Sequence, residues 1–307
     1  MRKIVILTIF IVITHLIFSM DKRLEMQKLI INLSNSAKRR NETFVILLQN
    51  PKKIIFSDND EVVNLISGIT VEEYFFGFPK LGDISPPSLK AEVDPIIKSV
   101  EDKNKKILYI DYLMPSQYSE YQQMIKGTPY QNALFYHSFS KNLNTIESEA
   151  SQVREVNSFN DMTSFTYFIN PEKFISKQRY FEAIKQCHSD LIVIDPDYEG
   201  VPLNSNEVEY LSLSDVGTKR FLFAYLSIGE AESYRNYWQS EWNDTLPSWI
   251  VFQNPNWKNN YVVKYWSSEW YDIVKKQMQH IVDVGFSGVV LDTLDSYEVF
   301  EEGGYEK

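Results

Sequence analysis

The sequence predicts an α/β chain of the (β/α)8-barrel class (a TIM barrel), closed as a single domain. Three observations predict it. Apolar strand-like runs alternate with amphipathic helical stretches along most of the 307 residues. The runs are apolar at nearly every position, as strands buried on both faces are, so the sheet is parallel and covered by helices. Eight such runs can be counted, in a chain long enough for a barrel, which needs roughly 250 residues. No Gly-x-Gly-x-x-Gly turn follows a strand, so nothing supports a doubly wound dinucleotide site.

The elements follow in order. Residues 22–40 place Leu24, Leu29, Ile30 and Leu33 on one helical face. Thr43 to Gln49 is an apolar run stopped by Asn50-Pro51, a buried strand. Glu61 to Ser67 reads as a helix ended by Gly68, and Ile69 to Phe78 as a second strand. Ser88 to Asp102 is a helix feeding a third strand, Lys106 to Tyr112. The polar stretch 116–164 interrupts the alternation, and its latter part reads as a linker or surface excursion. Regular alternation then resumes with the strand Phe165–Ile169 and a helix to Gln186. The strand Asp190–Asp195 leads to a helix capped by Asn204, and Arg220–Ser227 is the next strand. Trp249–Phe252 and Tyr261–Tyr265 compete for the fourth strand of this portion. A helix from Ser268 to Asp283 precedes the last strand, Gly288–Asp292. Three strands thus fall before the linker and five after it.

Bulk properties narrow the function. A net charge of −10 argues against a nucleic-acid binder, which needs clustered Lys and Arg, and is compatible with a cationic partner. The single cysteine, Cys187, rules out an intramolecular disulfide. The four histidines are scattered without metal-ligand spacing, so no metal and no cofactor is expected. Arg2 and Lys3 followed by an apolar run to Phe18 read as an export signal over residues 1–19, or as an uncleaved anchor. The expected location is therefore secreted or periplasmic, with membrane contact only through that segment, and the expected state is a monomer.

Several runs carry a family resemblance. They are Asp190-Leu-Ile-Val-Ile-Asp195, then Ala224-Tyr-Leu-Ser-Ile-Gly-Glu-Ala-Glu-Ser-Tyr-Arg235 with Tyr237-Trp238 behind it. Asn254-Pro-Asn-Trp257 and Asn260-Tyr-Val-Val-Lys-Tyr-Trp266 follow. The last is Gly285-Phe-Ser-Gly-Val-Val-Leu-Asp-Thr-Leu-Asp-Ser-Tyr-Glu298. Together, over residues 165–300, they resemble glycoside hydrolase family 114, the endo-α-1,4-polygalactosaminidase-like family. Residues 20–146 resemble the remainder of that barrel, its last three strands. The order therefore resembles a circular permutation, with residues 147–164 joining the ancestral termini and residues 165–307 supplying the first five strands. The sequence departs from the family at Val290 and Ser233, where acidic residues are usual.

The resemblance implies a glycoside hydrolase acting on a galactosamine-containing polysaccharide, a polymer that is cationic when deacetylated. Glycoside hydrolysis needs two carboxyl groups flanking the scissile bond, and barrel active sites lie at the C-terminal ends of the strands. Asp292 is the expected nucleophile or base, Glu230 the proton donor, and Asp195 a residue that tunes them. Expected substrate contacts are Glu232, Asp295, Tyr225, Arg235, Trp238, Trp257, Glu72, Glu73 and Asp111. All six tryptophans fall between Trp238 and Trp270, and flat aromatic faces suit sugar rings. The alternative is a secreted barrel that binds polysaccharide without cleaving it.

Overall fold

The computed structural model describes residues 21–55, 61–128, 132–147 and 154–301. The expected export segment lies outside them. Eight parallel strands form the barrel: β1 (Val45–Gln49), β2 (Gly68–Glu72), β3 (Lys106–Tyr112), β4 (Ala133–Ser138), β5 (Phe165–Phe168), β6 (Leu191–Ile194), β7 (Phe221–Ser227) and β8 (Gly288–Asp292). Their order is β4-β3-β2-β1-β8-β7-β6-β5. Strand β1 pairs with β2 on one side and with β8 on the other, so the front and back portions of the chain share one wall. β4 and β5 lie side by side at the seam, where no ladder joins them among the described residues.

Side-chain alternation divides the core. In β1, Ile46 and Leu48 face the outer layer, where they pack with helices such as α1 (Lys22–Arg40). Val45 and Leu47 face inward with Leu108, Ile110, Val193, Phe223 and Val290. Both faces are apolar because both are covered, which is why every strand reads as a continuous run.

Four barrel strands precede residue 147 and four follow it, against the expected three and five. The extra front strand, β4, hides in the polar stretch after a short helix, Tyr118–Lys126. Its sequence, Ala-Leu-Phe-Tyr-His-Ser, is brief and mixed, and only pairing with β3 makes it a strand. Behind residue 164, neither competitor joins the barrel. Ile250–Gln253 and Asn260–Val263 form an antiparallel sheet with Glu230–Glu232, on a long excursion after β7. The second expected strand is also shorter than read, because the chain turns at Glu73 (φ 60°).

The expected linker does structural work where it is described. Val156, Phe159 and Met162 belong to the inner core, and Phe159 stacks on Phe223 with ring centroids 5.8 Å apart. They close the barrel at the N-terminal ends of the strands. Asp190, just before β6, pins this plug. It pairs with Arg154 at 2.7 Å and accepts from the Thr163 N–H at 2.7 Å. Apolar residues three apart, with polar ones between, do not make the long run by which a buried segment is recognised. At the other junction, Arg23 of α1 pairs with Glu301 at 2.6 Å.

Candidate active site

The inward-facing positions decide what the barrel mouth contains. Two residues beyond Leu47, Val193 and Val290 stand Gln49, Asp195 and Asp292, each the last inward position of its strand. Glu72 is opposite Ile110 in the ladder and also faces inward. Three carboxyls therefore enter the mouth from β2, β6 and the β8 end, and Glu230 joins them from the first strand of the antiparallel sheet. The cavity there holds about 1010 Å³ and is lined by nine acidic side chains and three lysines among the described residues.

Asp292 is strongly perturbed. Burial pushes its carboxyl up to about 8, and the nearby Glu72 charge pushes the same way. The Tyr225 hydroxyl donates to its Oδ2 at 2.8 Å. Glu72 in turn accepts from Asn50 Nδ2 at 2.8 Å on one oxygen and from the Tyr112 hydroxyl on the other. The two carboxyls thus feel each other, one deprived of solvation and the other held by two donors. Neither Tyr112 nor Asn50 stands out in the sequence. Their signal is positional: one ends β3 and the other follows β1.

Glu230 is held differently. Asn254 donates to its Oε1 at 2.7 Å and Asn260 to its Oε2 at 3.3 Å. Burial raises its pKa and these two bonds oppose the shift. Asp195 is pushed up to about 6 by burial, against the pull of Arg235, whose Nη1 donates to it. The same guanidinium donates from Nε to Glu232 at 2.7 Å and lies 3.5 Å from Asp197. Arg235 is 6% exposed and does not line the cavity. It is the counter-ion beneath three carboxylates, not a group that reaches into the cleft.

Other expected contacts divide in the same way. Glu73 and Asp295 line the cleft, paired with Lys141 and, at 3.1 Å, with Lys52. Tyr225 and Glu232 line it too. Trp257 does so and is 54% exposed. Trp238 does not. Its ring packs on Tyr261 (4.8 Å) and Trp242 (5.4 Å), and its Nε1 donates to Asn243. Asp111 is also absent from the mouth. Period-two alternation turns it away from the interior while Tyr112 turns in. Its Oδ1 instead accepts from the N–H groups of Phe75 and Phe76, at 2.6 and 2.9 Å, and fixes the turn after β2.

Backbone strain gathers at this rim. Asn50, Glu73 and Thr293, which directly follow β1, β2 and β8, have φ of 41°, 60° and 62°. A β-branched residue in that region is costly and persists only when its surroundings hold it. Thr293 is so held: its hydroxyl accepts from the Gly229 N–H at 2.7 Å and contacts Ser227 Oγ at 2.9 Å. A Cβ on Gly229 would lie 2.1 Å from the Thr293 carbonyl oxygen, so only glycine allows this approach. The strain re-aims three neighbouring strand ends toward one cavity. Among the described residues, no group of three or more His, Cys, Asp or Glu side chains is arranged to hold a metal ion.

Comparison with known proteins supplies relatives and a family. A protein of Methanocaldococcus jannaschii is 37% identical over 41% of this chain and 36% of its own length. One from Deinococcus radiodurans is 37% identical over 39% of this chain and 38% of its own. One from Thermotoga maritima is 43% identical over 26% of this chain and 25% of its own. All three carry the description "uncharacterized", and the aligned segments span well under half of each. The model of glycoside-hydrolase family GH114 matches residues 149–306, which contain β5 to β8, the antiparallel sheet and most of the acids of the mouth. That match covers half of the chain: the chain belongs to glycoside-hydrolase family GH114.

Proposed function

We propose that this protein cleaves a galactosamine-containing polysaccharide by carboxylic acid–base hydrolysis, with Asp292 and Glu72 as the reacting pair. The observation that carries the reading is their coupling across β1 at the mouth of an acidic cleft. Near neutrality Asp292 keeps its proton in the free protein. A protonated carboxyl there can donate to the leaving oxygen, while Glu72 attacks the sugar or activates water from the far side. This exchanges the role expected of Asp292 and takes Glu72 in place of Glu230, because Glu72 is the carboxyl whose charge acts on Asp292. The excess of acids over lysines in the cleft favours a cationic sugar such as deacetylated galactosamine. Trp257 offers the flat face.

Export and the permuted order belong to the same proposal. Arg2 and Lys3 before an apolar run support secretion. A family match confined to residues 149–306, beside four barrel strands from residues 45–138, supports permutation.

The test is reducing-end release from galactosamine polymers of graded deacetylation. The wild-type protein should release ends, and Asp292→Asn and Glu72→Gln should each abolish release. Polymer binding without release by the wild type would instead select the non-catalytic alternative. Val290 favours that alternative: it fills the barrel interior and supplies no carboxyl there.

A further inference from the structure

The cleft is acidic beyond what its own cations neutralise. Of the nine acids that line it, five pair with Lys52, Lys141 or Arg235. Asp292 and Glu72 form the reacting pair. Two remain: Glu92, exposed on the helix Pro87–Glu101, and Glu230, which is 7% exposed. Glu230 pairs with no cationic side chain among the described residues, yet both its oxygens are held by amides. Asn254 Oδ1 accepts the Asn256 N–H at 2.9 Å, which leaves Nδ2 to face Glu230. The turn carrying both amides is closed by the Asn254 N–H on the Asn260 carbonyl at 2.8 Å and by the Asn260 N–H on the Trp257 carbonyl at 3.2 Å. The Ser227 hydroxyl donates to the Glu230 carbonyl at 2.9 Å, and Ser227 stands opposite Asp292 in the ladder. One donor on each oxygen suits an ionised carboxylate, which has about four acceptor sites, so the amides leave it room for more. A buried carboxylate held only by neutral donors still wants a counter-ion.

We propose that Glu230 is a specificity-determining residue whose carboxylate receives the ammonium of a galactosamine unit bound beside Asp292 and Glu72. The assignment rests on the glycosidase reading of the cleft and deepens it, by naming the carboxylate that reads the amine. An ammonium brings three donors and a full charge, so it supplies the missing counter-ion and hydrogen bonds together. An N-acetyl group in the same place offers one neutral N–H and leaves the carboxylate buried and unpaired, and that cost rejects it. Trp257 is carried by the turn between the two amides and lines the same cavity, so the amine-binding and aromatic elements belong to one structural unit.

Glu230→Gln keeps the size of the side chain and removes its charge. It is made in an Asp292→Asn parent, so that the ligand stays intact. The probes are galactosamine tetrasaccharides, either fully deacetylated or fully N-acetylated, titrated calorimetrically. The parent should bind the deacetylated form at least about tenfold more tightly. Glu230→Gln should lower that ratio about tenfold, through weaker binding of the deacetylated form alone. Glu92→Gln removes one charge from the same cleft at an exposed, screened position and should change the ratio less than about twofold. A parent that binds both forms equally overturns the assignment without any further variant. Equal effects of Glu230→Gln and Glu92→Gln overturn it too, because the general field of the cleft then accounts for the preference. An unchanged ratio in Glu230→Gln, including an equal loss for both probes as a structural role would give, overturns it while leaving the substrate reading intact. No binding of either tetrasaccharide at millimolar concentration, by the parent or by the wild type, overturns both.

Discussion

Replacing Asp292 by Asn should make the protein more stable while removing its activity. Burial and the Glu72 charge raise the Asp292 carboxyl from 3.8 to about 8. A group raised on folding contributes stability that is complete below its unfolded value and is lost as pH climbs through its folded value. The window runs from about pH 4 to pH 8. Each tenfold change in proton concentration inside it is worth about 1.4 kcal/mol. At pH 7 the folded state therefore bears up to about 4 kcal/mol from keeping this site unionised or charging it where it is. Asn mimics the neutral acid, and its amide oxygen can still accept from Tyr225. In a chain of this length each kcal/mol moves the melting temperature by roughly 2 °C. The assay is thermal melting of the wild type and Asp292→Asn from pH 4 to pH 9. The two should coincide at the acid end, and the variant should gain about 4–8 °C at neutrality. Equal melting temperatures across the whole range would refute the reasoning, because the carboxyl would then carry no penalty and could not hold a proton for catalysis.

Three further outcomes follow from the geometry. Arg235→Ala removes the counter-ion of Asp195, Glu232 and Asp197 and should cost about 3–5 kcal/mol in denaturant unfolding, with the loss largest at high pH, where Asp195 and Asp197, both raised by burial, ionise. Asp111→Ala strips the acceptor from two backbone N–H groups and should cost about 1–3 kcal/mol in urea unfolding, whereas Asp111→Asn keeps an acceptor oxygen and should retain activity. Phe159→Ala opens the base of the barrel and should cost about 3–5 kcal/mol without altering the pH–rate profile, since the plug lies at the end remote from the acids.

The sequence by itself determined the layer architecture, because strands apolar on both faces alternating with amphipathic helices have one stable arrangement, a parallel sheet wrapped in helices. It also determined which acids are candidates, since Asp195 and Asp292 end their apolar runs at a position visible in one dimension. The partnership of Glu72 with Asp292 is different. The two lie 220 positions apart, and only the placement of β1 between β2 and β8 brings them together. The exclusion of Asp111, one residue out of phase with Tyr112, required the strand's facing. So did the sorting of Trp257 into the cleft and Trp238 into packing, and the recognition of β4 as a strand. Each depends on what stands opposite across the fold, and the energy of a buried charge or an unpaired hydroxyl is set by neighbours that chain order does not name.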